Sequence, residues 1–361
     1  MKKAAIITAF DPSAFKGGIE SYTSRLVGLL KERDVHADVY HAGVARADHG
    51  FHNDYLGRLY LTGRKVFESA ARYDLVIANS FYGLGYYPPK ARAYTIFHAT
   101  HKGFAERIKD VVPRSQYLEW RLLWGEFAET VSGFGRTKIA VSDSVKDELA
   151  EQYGFPDAVV VPNGVDIEMF SKRDKASARR KLGIPGDSFV GLYAGRWDLL
   201  KGCDILERII EEARDIGWIV ALGTGSSRNE VPAGKGVYCL EQVAHENMSE
   251  VYSAADFLLF PSRYEGFGYV IVEAMACGLP VVTTAVGVAK TIGRGGPFGE
   301  LLLPAPSGDG GEVVTAALKK IERLRTDEGW REGVAGAGRR LIEESFGIAR
   351  WEEKMAKVLE L

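Results

Sequence analysis

Residues 257–283 read FLLFPSRYEGFGYVIVEAMACGLPVVT, and this one stretch carries a strand, a turn, a helix and a second strand. The run 257–260 is apolar without alternation, which suits a strand covered on both faces. Gly266 and Gly268 break the run and open a helix that Gly278 and Pro280 close, after which 280–283 is apolar again. Two such strands joined through a helix make a βαβ unit, so the sheet is expected to be parallel.

The same design recurs on both sides of this stretch. Apolar runs followed by Gly-rich or polar turns and helical patterns lie at 4–9, 39–42, 75–78, 93–97 and 138–141, and again at 190–194, 218–222 and 236–240. A chain of 361 residues exceeds one ordinary domain. The expected fold class is therefore α/β, with two doubly wound Rossmann-like domains facing across a cleft at the carboxyl ends of their strands. The first is expected over 1–170 and the second over 171–345. Between them the charged stretch SKRDKASARRKLG predicts a linker near 168–188 with a solvated helix face.

Charge and composition exclude several functions. Lys+Arg 46 against Asp+Glu 48 leaves a net charge of -2, without the positive excess that nucleic-acid binding requires. Cys203, Cys239 and Cys277 form no CxxC pair, as expected of a reducing compartment. The apolar run at the amino end meets Asp11 and Pro12 at once and predicts a strand rather than a leader. No segment approaches the roughly 20 apolar residues that span a bilayer. The expected location is cytoplasmic, at most peripheral to the inner face of a membrane.

The candidate site residues follow strands. Glu265 and Glu273 stand eight positions apart around Gly266-Phe267-Gly268, where a helix start offers unpaired N–H groups to an anionic or hydroxyl-rich ligand. Gly195, Arg196 and Lys201 follow the run 190–194. Arginine offers a planar fork of donors and lysine a compact charge, both suited to phosphate oxygens. Lys16-Gly17-Gly18-Ile19-Glu20 forms a glycine turn after the first strand, and His98 ends the run 93–97, with His101 an alternative. The HxxH spacing of His98 and His101 recurs at His49 and His52, but neither pair has the context of a zinc site. Gly223 and Gly225 begin a glycine turn in which Arg228 replaces the third glycine of a dinucleotide fingerprint, so NAD is not expected. Tyr117, Trp120, Trp124 and Phe127 recur at helical spacing and are expected in the core, with a membrane- or acceptor-facing stripe as the alternative.

Taken in order, these motifs resemble those of the retaining glycosyltransferases of the GT-B fold, family 4 (glycosyltransferase group 1). Glu265 to Glu273 resembles its EX7E motif, Ala194-Gly195-Arg196-Trp197 with Lys201-Gly202 its GR and KG segment, and Val161-Pro162-Asn163-Gly164-Val165-Asp166 its interdomain turn. The resemblance implies a metal-independent hexosyltransferase whose substrates are a nucleoside diphosphate sugar, UDP- or GDP-linked, and a hydroxyl-bearing acceptor. That acceptor would be a saccharide, a glycolipid or lipid-linked molecule, or a small molecule, with cell-envelope polysaccharide biosynthesis as the expected context. It further implies that Arg196 and Lys201 bind the diphosphate, Glu273 the ribose and Glu265 the donor sugar. Backbone N–H groups of Gly266, Phe267 and Gly268 would meet sugar hydroxyls, His98 would lie beside the transferred sugar, and Gly17 and Gly18 would approach phosphate and acceptor. The turn at Gly223 and Gly225 would border the donor pocket and 240–243 the nucleobase. The last helix, residues about 346–361, would cross back to the first domain.

No cofactor is expected, since the nucleotide sugar is a substrate and no DxD triplet supplies a carboxylate pair for a divalent ion. Same-face attack, with the leaving phosphate helping to deprotonate the acceptor, is the implied mechanism. The chain departs from the family at Val286-Gly287-Val288-Ala289-Lys290, which replaces a glycine pair followed by Pro-Glu. Two rival readings are a nucleotide-sugar epimerase of the same architecture and a non-catalytic nucleotide-sugar binding protein.

Overall fold

A computed structural model describes residues 2–14, 17–43, 53–232, 234, 236–306 and 310–361. Lys16 and the His49 and His52 pair lie outside the described residues. The chain divides into two compact units, one of Met1–Val161 with Glu352–Leu361 and one of Pro162–Trp351. The division falls immediately before Pro162, at the start of the PNGVD turn and earlier than the linker expected near 168–188.

The first unit is built on β1 (Lys2–Thr8), β2 (Val35–His41), β3 (Leu75–Asn79), β4 (Arg92–Phe97), β5 (Thr137–Ala140) and β6 (Val159–Val160). They form one parallel sheet in the order β2-β1-β3-β4-β5-β6. Ala4, Ala5, Ile6 and Ile7 of β1 are wholly buried, as are Leu75, Ile77 and Ala78 of β3, so the core sits on both faces of the central strands. β2 is an edge strand of mostly half-buried residues, and its sequence VHADVYH carries no continuous apolar run. The expected run 39–42 therefore catches only its end.

The second unit repeats the plan with β7 (Val190–Gly195), β8 (Gly217–Leu222), β9 (Val237–Glu241), β10 (Phe257–Phe260), β11 (Val281–Thr284) and β12 (Leu302–Leu303). The order is β12-β11-β10-β7-β8-β9, again parallel. In each sheet the winding direction reverses once, between β1 and β3 in the first and between β7 and β10 in the second. Open parallel sheets hold ligands beyond the carboxyl ends of strands at such a reversal.

The charged stretch is no linker. Lys175–Leu182 is a helix of the second unit, and Arg179 is buried, donating to Asp256 Oδ2 (2.8 Å) and to the Ala254 carbonyl (2.9 Å). Lys175 pairs with the same carboxylate, which also accepts the Val190 N–H. Neutralised in this way, Asp256 fastens the helix to the first residue of β7.

The aromatic stripe also differs from expectation. Residues Glu119–Glu129 form wide π-helical turns, which do not keep the 3.6-residue face on which the core reading depends. Trp120 packs on Phe104 and Trp124 on Phe81 and Tyr55, but Phe127 is 48% exposed. Helix Ile348–Leu359 begins in the second unit and ends in the first, where Met355 and Leu359 are buried.

Candidate functional site

In the second unit the expected residues collect at the ends of β7 and β10. β7 ends at Gly195, and Tyr193 reaches forward from the strand to donate its hydroxyl to the Arg196 carbonyl (2.5 Å). Gly223, following β8, donates its N–H to the Gly195 carbonyl (2.8 Å), and a Cβ there would stand 3.1 Å from the Arg196 nitrogen. The glycine turn after β8 thus lies directly beside Arg196. The Arg196 guanidinium is 44% exposed and contacts only Asp198 among the described residues, 3.2 Å away. It remains available to an anion.

Asp198 also caps the short turn Leu199–Lys201, accepting the Lys201 N–H at 2.9 Å. Gly202 then turns the chain with φ +77, and a Cβ there would meet the Pro261 carbonyl at 2.3 Å. Only glycine lets the turn after β7 lie against the segment after β10. That contact brings Lys201 Nζ onto Glu265 Oε1, an ion pair whose side chains are 18% and 12% exposed. Ser262 Oγ lies 3.1 Å from the same carboxylate oxygen. Arg263 holds the framework from behind, with a two-pronged bond to Asp204 at 2.7 Å on each arm.

The turn Glu265-Gly266-Phe267-Gly268 leads into helix Tyr269–Ala276, with Gly268 at φ +94. The departing loop after β11 is fastened to this turn: Val288 N–H donates to the Phe267 carbonyl at 2.7 Å. Gly287 has φ +49, and a Cβ there would stand 2.3 Å from that carbonyl oxygen. The substitution of the family's glycine pair and Pro-Glu therefore keeps glycine where backbone meets backbone.

Glu273 lies in that same helix, Tyr269–Ala276, almost wholly buried. Its Oε2 accepts from the Tyr252 hydroxyl at 2.8 Å, and its Oε1 meets His245 Nε2 at 3.0 Å. Burial, with the Glu273 charge, drives the Tyr252 phenol well above its usual range, so it stays a donor. His245 is 63% exposed, so the Oε1 side of the carboxylate is covered by a side chain that itself reaches solvent. Nothing in the spacing of His245, Tyr252 and Ser262 announces these contacts.

The first unit carries the remaining residues. Gly17 caps helix Gly18–Glu32 with extended backbone, and a Cβ on Gly18 would meet nothing within 4 Å. His98 follows β4, its Nε2 2.8 Å from Asn79 Oδ1 at the end of β3, and its ring edge-on to Tyr22. Burial pulls its pKa down to about 3, so the ring is neutral at ordinary pH. His101 turns the other way, with Nδ1 on the buried Glu129 at 2.8 Å. Asn79 and Glu129 were not legible as site residues.

Among the described residues no group of three or more His, Cys, Asp and Glu is placed to hold a metal ion. No helix there is long and apolar enough to cross a membrane. Burial pushes the Cys203 thiol up to about 11 and Cys277 up to about 12, so neither supplies a thiolate.

Two reversing parallel sheets, with basic side chains and glycine turns at the carboxyl edge of the second, define a GT-B protein. Residues 188–338 match the family described as glycosyl transferases group 1, and residues 16–169 match glycosyltransferase family 4. The chain belongs to the group 1, family 4 glycosyltransferases. A D-inositol 3-phosphate glycosyltransferase 1 of Catenulispora acidiphila is 36% identical over 199 residues, 49% of this chain and 48% of that protein. Its counterpart in Xylanimonas cellulosilytica is 33% identical over 62% of this chain and 55% of that one. The chain thus spans about half the length of these curated relatives. Among solved structures, sucrose-phosphate synthase from Thermosynechococcus elongatus superposes with a TM-score of 0.80 at 22% identity, covering 100% of this chain and 98% of that one. Anabaena Alr3699/HepE in complex with UDP-glucose gives 0.69 at 19% identity over 100% of both chains. At these identities the structural likeness concerns the fold.

Proposed function

We infer that this chain is a retaining, metal-independent hexosyltransferase that moves a sugar from a UDP- or GDP-sugar to an acceptor hydroxyl. The observation that carries it is the Lys201–Glu265 ion pair together with the exposed Arg196 guanidinium, which Asp198 ties to the Lys201 backbone, at the reversal between β7 and β10. Departure of a nucleoside diphosphate leaves positive charge on the sugar and adds negative charge to the phosphate. Arg196 and Lys201 are the groups suited to the second, and they need no reorganisation because Asp198 and Glu265 already hold them. Glu265 lies beside Lys201 as an anion for sugar hydroxyls, next to the N–H groups of Gly266, Phe267 and Gly268. Glu273, fixed by Tyr252, offers Oε1 to a ribose diol in exchange for His245.

In this reading Gly17 and Gly18 leave room for phosphate or acceptor at the start of their helix, and His98 serves the transferred sugar. The relatives named for inositol phosphate glycosyl transfer favour a hydroxyl acceptor, and the UDP-glucose bound to the Anabaena protein favours a UDP-linked donor. A saccharide or lipid-linked acceptor of the cell envelope, met at the cytoplasmic side of the membrane, fits the same chemistry.

The test is thermal stabilisation by UDP, GDP, ADP, NAD and their sugars, followed by product analysis. Ligand at about 100 times its dissociation constant adds roughly 2.7 kcal/mol. A shift with one nucleoside diphosphate and its sugars, and transfer with retained anomeric configuration, is expected. A shift with NAD alone overturns the reading. Sugar isomerised without any acceptor identifies an epimerase, and binding without transfer or hydrolysis identifies a binding protein.

A further inference from the structure

At the reversal between β1 and β3 in the first unit, three polar side chains form a chain of hydrogen bonds that starts on a helix backbone and ends on an imidazole. Thr23 Oγ1 lies 2.8 Å from the Ile19 carbonyl, which can only accept, so the threonine spends its single proton there. Asn79 Nδ2 lies 3.0 Å from the same Thr23 oxygen, which has only lone pairs left to offer. The amide is therefore oriented with its NH2 towards Thr23 and its carbonyl oxygen towards His98. That oxygen, 2.8 Å from His98 Nε2, must receive a proton, so Nε2 carries the hydrogen. Thr23 and Asn79 are wholly buried, which shields the relay from exchange with water. Among the described residues nothing bonds to Nδ1 of His98, and the residue as a whole keeps some exposure.

We propose that Thr23 and Asn79 are positioning residues that lock His98 as the Nε2–H tautomer, so that its bare Nδ1 accepts a hydrogen bond from a hydroxyl of the bound sugar. This rests on the transferase reading of the site and adds to it a direction: His98 acts as an acceptor for a hydroxyl, not as a cation for phosphate. The helix that begins at Gly18 sets this polarity, because the relay ends on its Ile19 carbonyl. Backbone geometry at Ile19, two side chains removed from the imidazole, thus decides which ring nitrogen is bare. Tyr22, edge-on to the ring at 4.7 Å between centroids, fixes its plane.

The experiment is nitrogen-15 NMR of the imidazoles in the full chain, with His98 assigned from the signal lost in His98→Gln. The wild-type ring is expected in the Nε2–H form without any ligand. Thr23→Val keeps the shape of the side chain but removes the anchor, so the Asn79 amide is free to turn and the Nδ1–H form appears. Hydrolysis of UDP-glucose is then expected to lose roughly tenfold in kcat, about 1.4 kcal/mol, with little change in KM, since a tautomer change leaves the groups proposed to bind the nucleotide untouched. Thr23→Ser restores both readouts, and thermal melting shows that each variant is folded. A wild-type ring in the Nδ1–H or doubly protonated form overturns the proposal, as does Thr23→Val with unchanged tautomer and turnover. An Nε2–H ring that shifts with Thr23→Val, in a chain that binds no nucleotide sugar, keeps the lock and removes the transferase reading instead.

Discussion

Replacing Lys201 by methionine leaves the Glu265 carboxylate, 12% exposed, with Ser262 Oγ at 3.1 Å as its remaining side-chain partner. Removing one member of a buried ion pair costs about 3–5 kcal/mol, because the other charge stays desolvated. This pair keeps some exposure and the serine keeps one hydrogen bond, so about 2–3 kcal/mol is the reasoned cost. For a unit of the size of Pro162–Trp351 each kcal/mol lowers the melting temperature by roughly 2–4 °C, giving a drop of about 4–12 °C. Calorimetry of the full chain measures it. The double variant Lys201→Met with Glu265→Gln removes the stranded charge and recovers most of the melting temperature, but not turnover, if Lys201 is the cation proposed for the phosphate. Lys201→Met melting with the wild type, or the double variant melting lower than the single, would refute the reasoning. Either result would mean that the two side chains are solvated separately.

Arg196→Ala has the opposite profile: its guanidinium pairs with an Asp198 that is itself partly exposed, so melting changes little while transition-state stabilisation is expected to fall by about 2–4 kcal/mol; near wild-type turnover removes Arg196 from the site. Below pH 6.5 the unfolded chain protonates His98 while the folded ring resists until about 3, so stability falls as pH drops through that window. His98→Gln flattens the decline, measured by urea midpoints at successive pH values; equal slopes in the two proteins contradict the buried neutral ring. Gly287→Ala forces a Cβ against the Phe267 carbonyl at φ +49 and costs about 1–3 kcal/mol by urea titration, an unchanged midpoint refuting the close approach. Turnover in the presence of a chelator is expected to match that without it, and loss that Mg²⁺ or Mn²⁺ restores contradicts metal-independent transfer.

The central strands were legible because burial on both faces writes itself as unbroken apolar runs: 190–194 became Val190–Gly195 and 257–260 became β10 as it stands. The edge strand β2 was misplaced because half of it faces solvent and carries His36, Asp38 and His41. The basic helix 175–182 was misread for a related reason. Composition records the charge of Arg179 but not Asp256, which lies 77 positions away and neutralises it. Candidate site residues that belong to short motifs were visible, since Arg196, Lys201 and Glu265 sit in segments whose glycines announce turns. Their partners were not. Tyr252 and His245 reach Glu273, and Asn79 reaches His98, only because neighbouring strands and helices bring their ends together. The wide turns of Glu119–Glu129 have no local signature either, so Phe127 was placed in a core it does not enter.

The discontinuous make-up of the first unit bears on how the protein is made. Its sheet is complete by Val161, yet its closing segment, Glu352–Leu361, leaves the ribosome only after Pro162–Trp351. At roughly 5–20 residues per second the sheet waits on the order of ten to forty seconds for the segment that carries the buried Met355 and Leu359. During that interval the surface those side chains later cover is open to water and to chaperones, while the second unit is still being synthesised. Premature termination between the two units' ends would therefore injure the domain that was synthesised first.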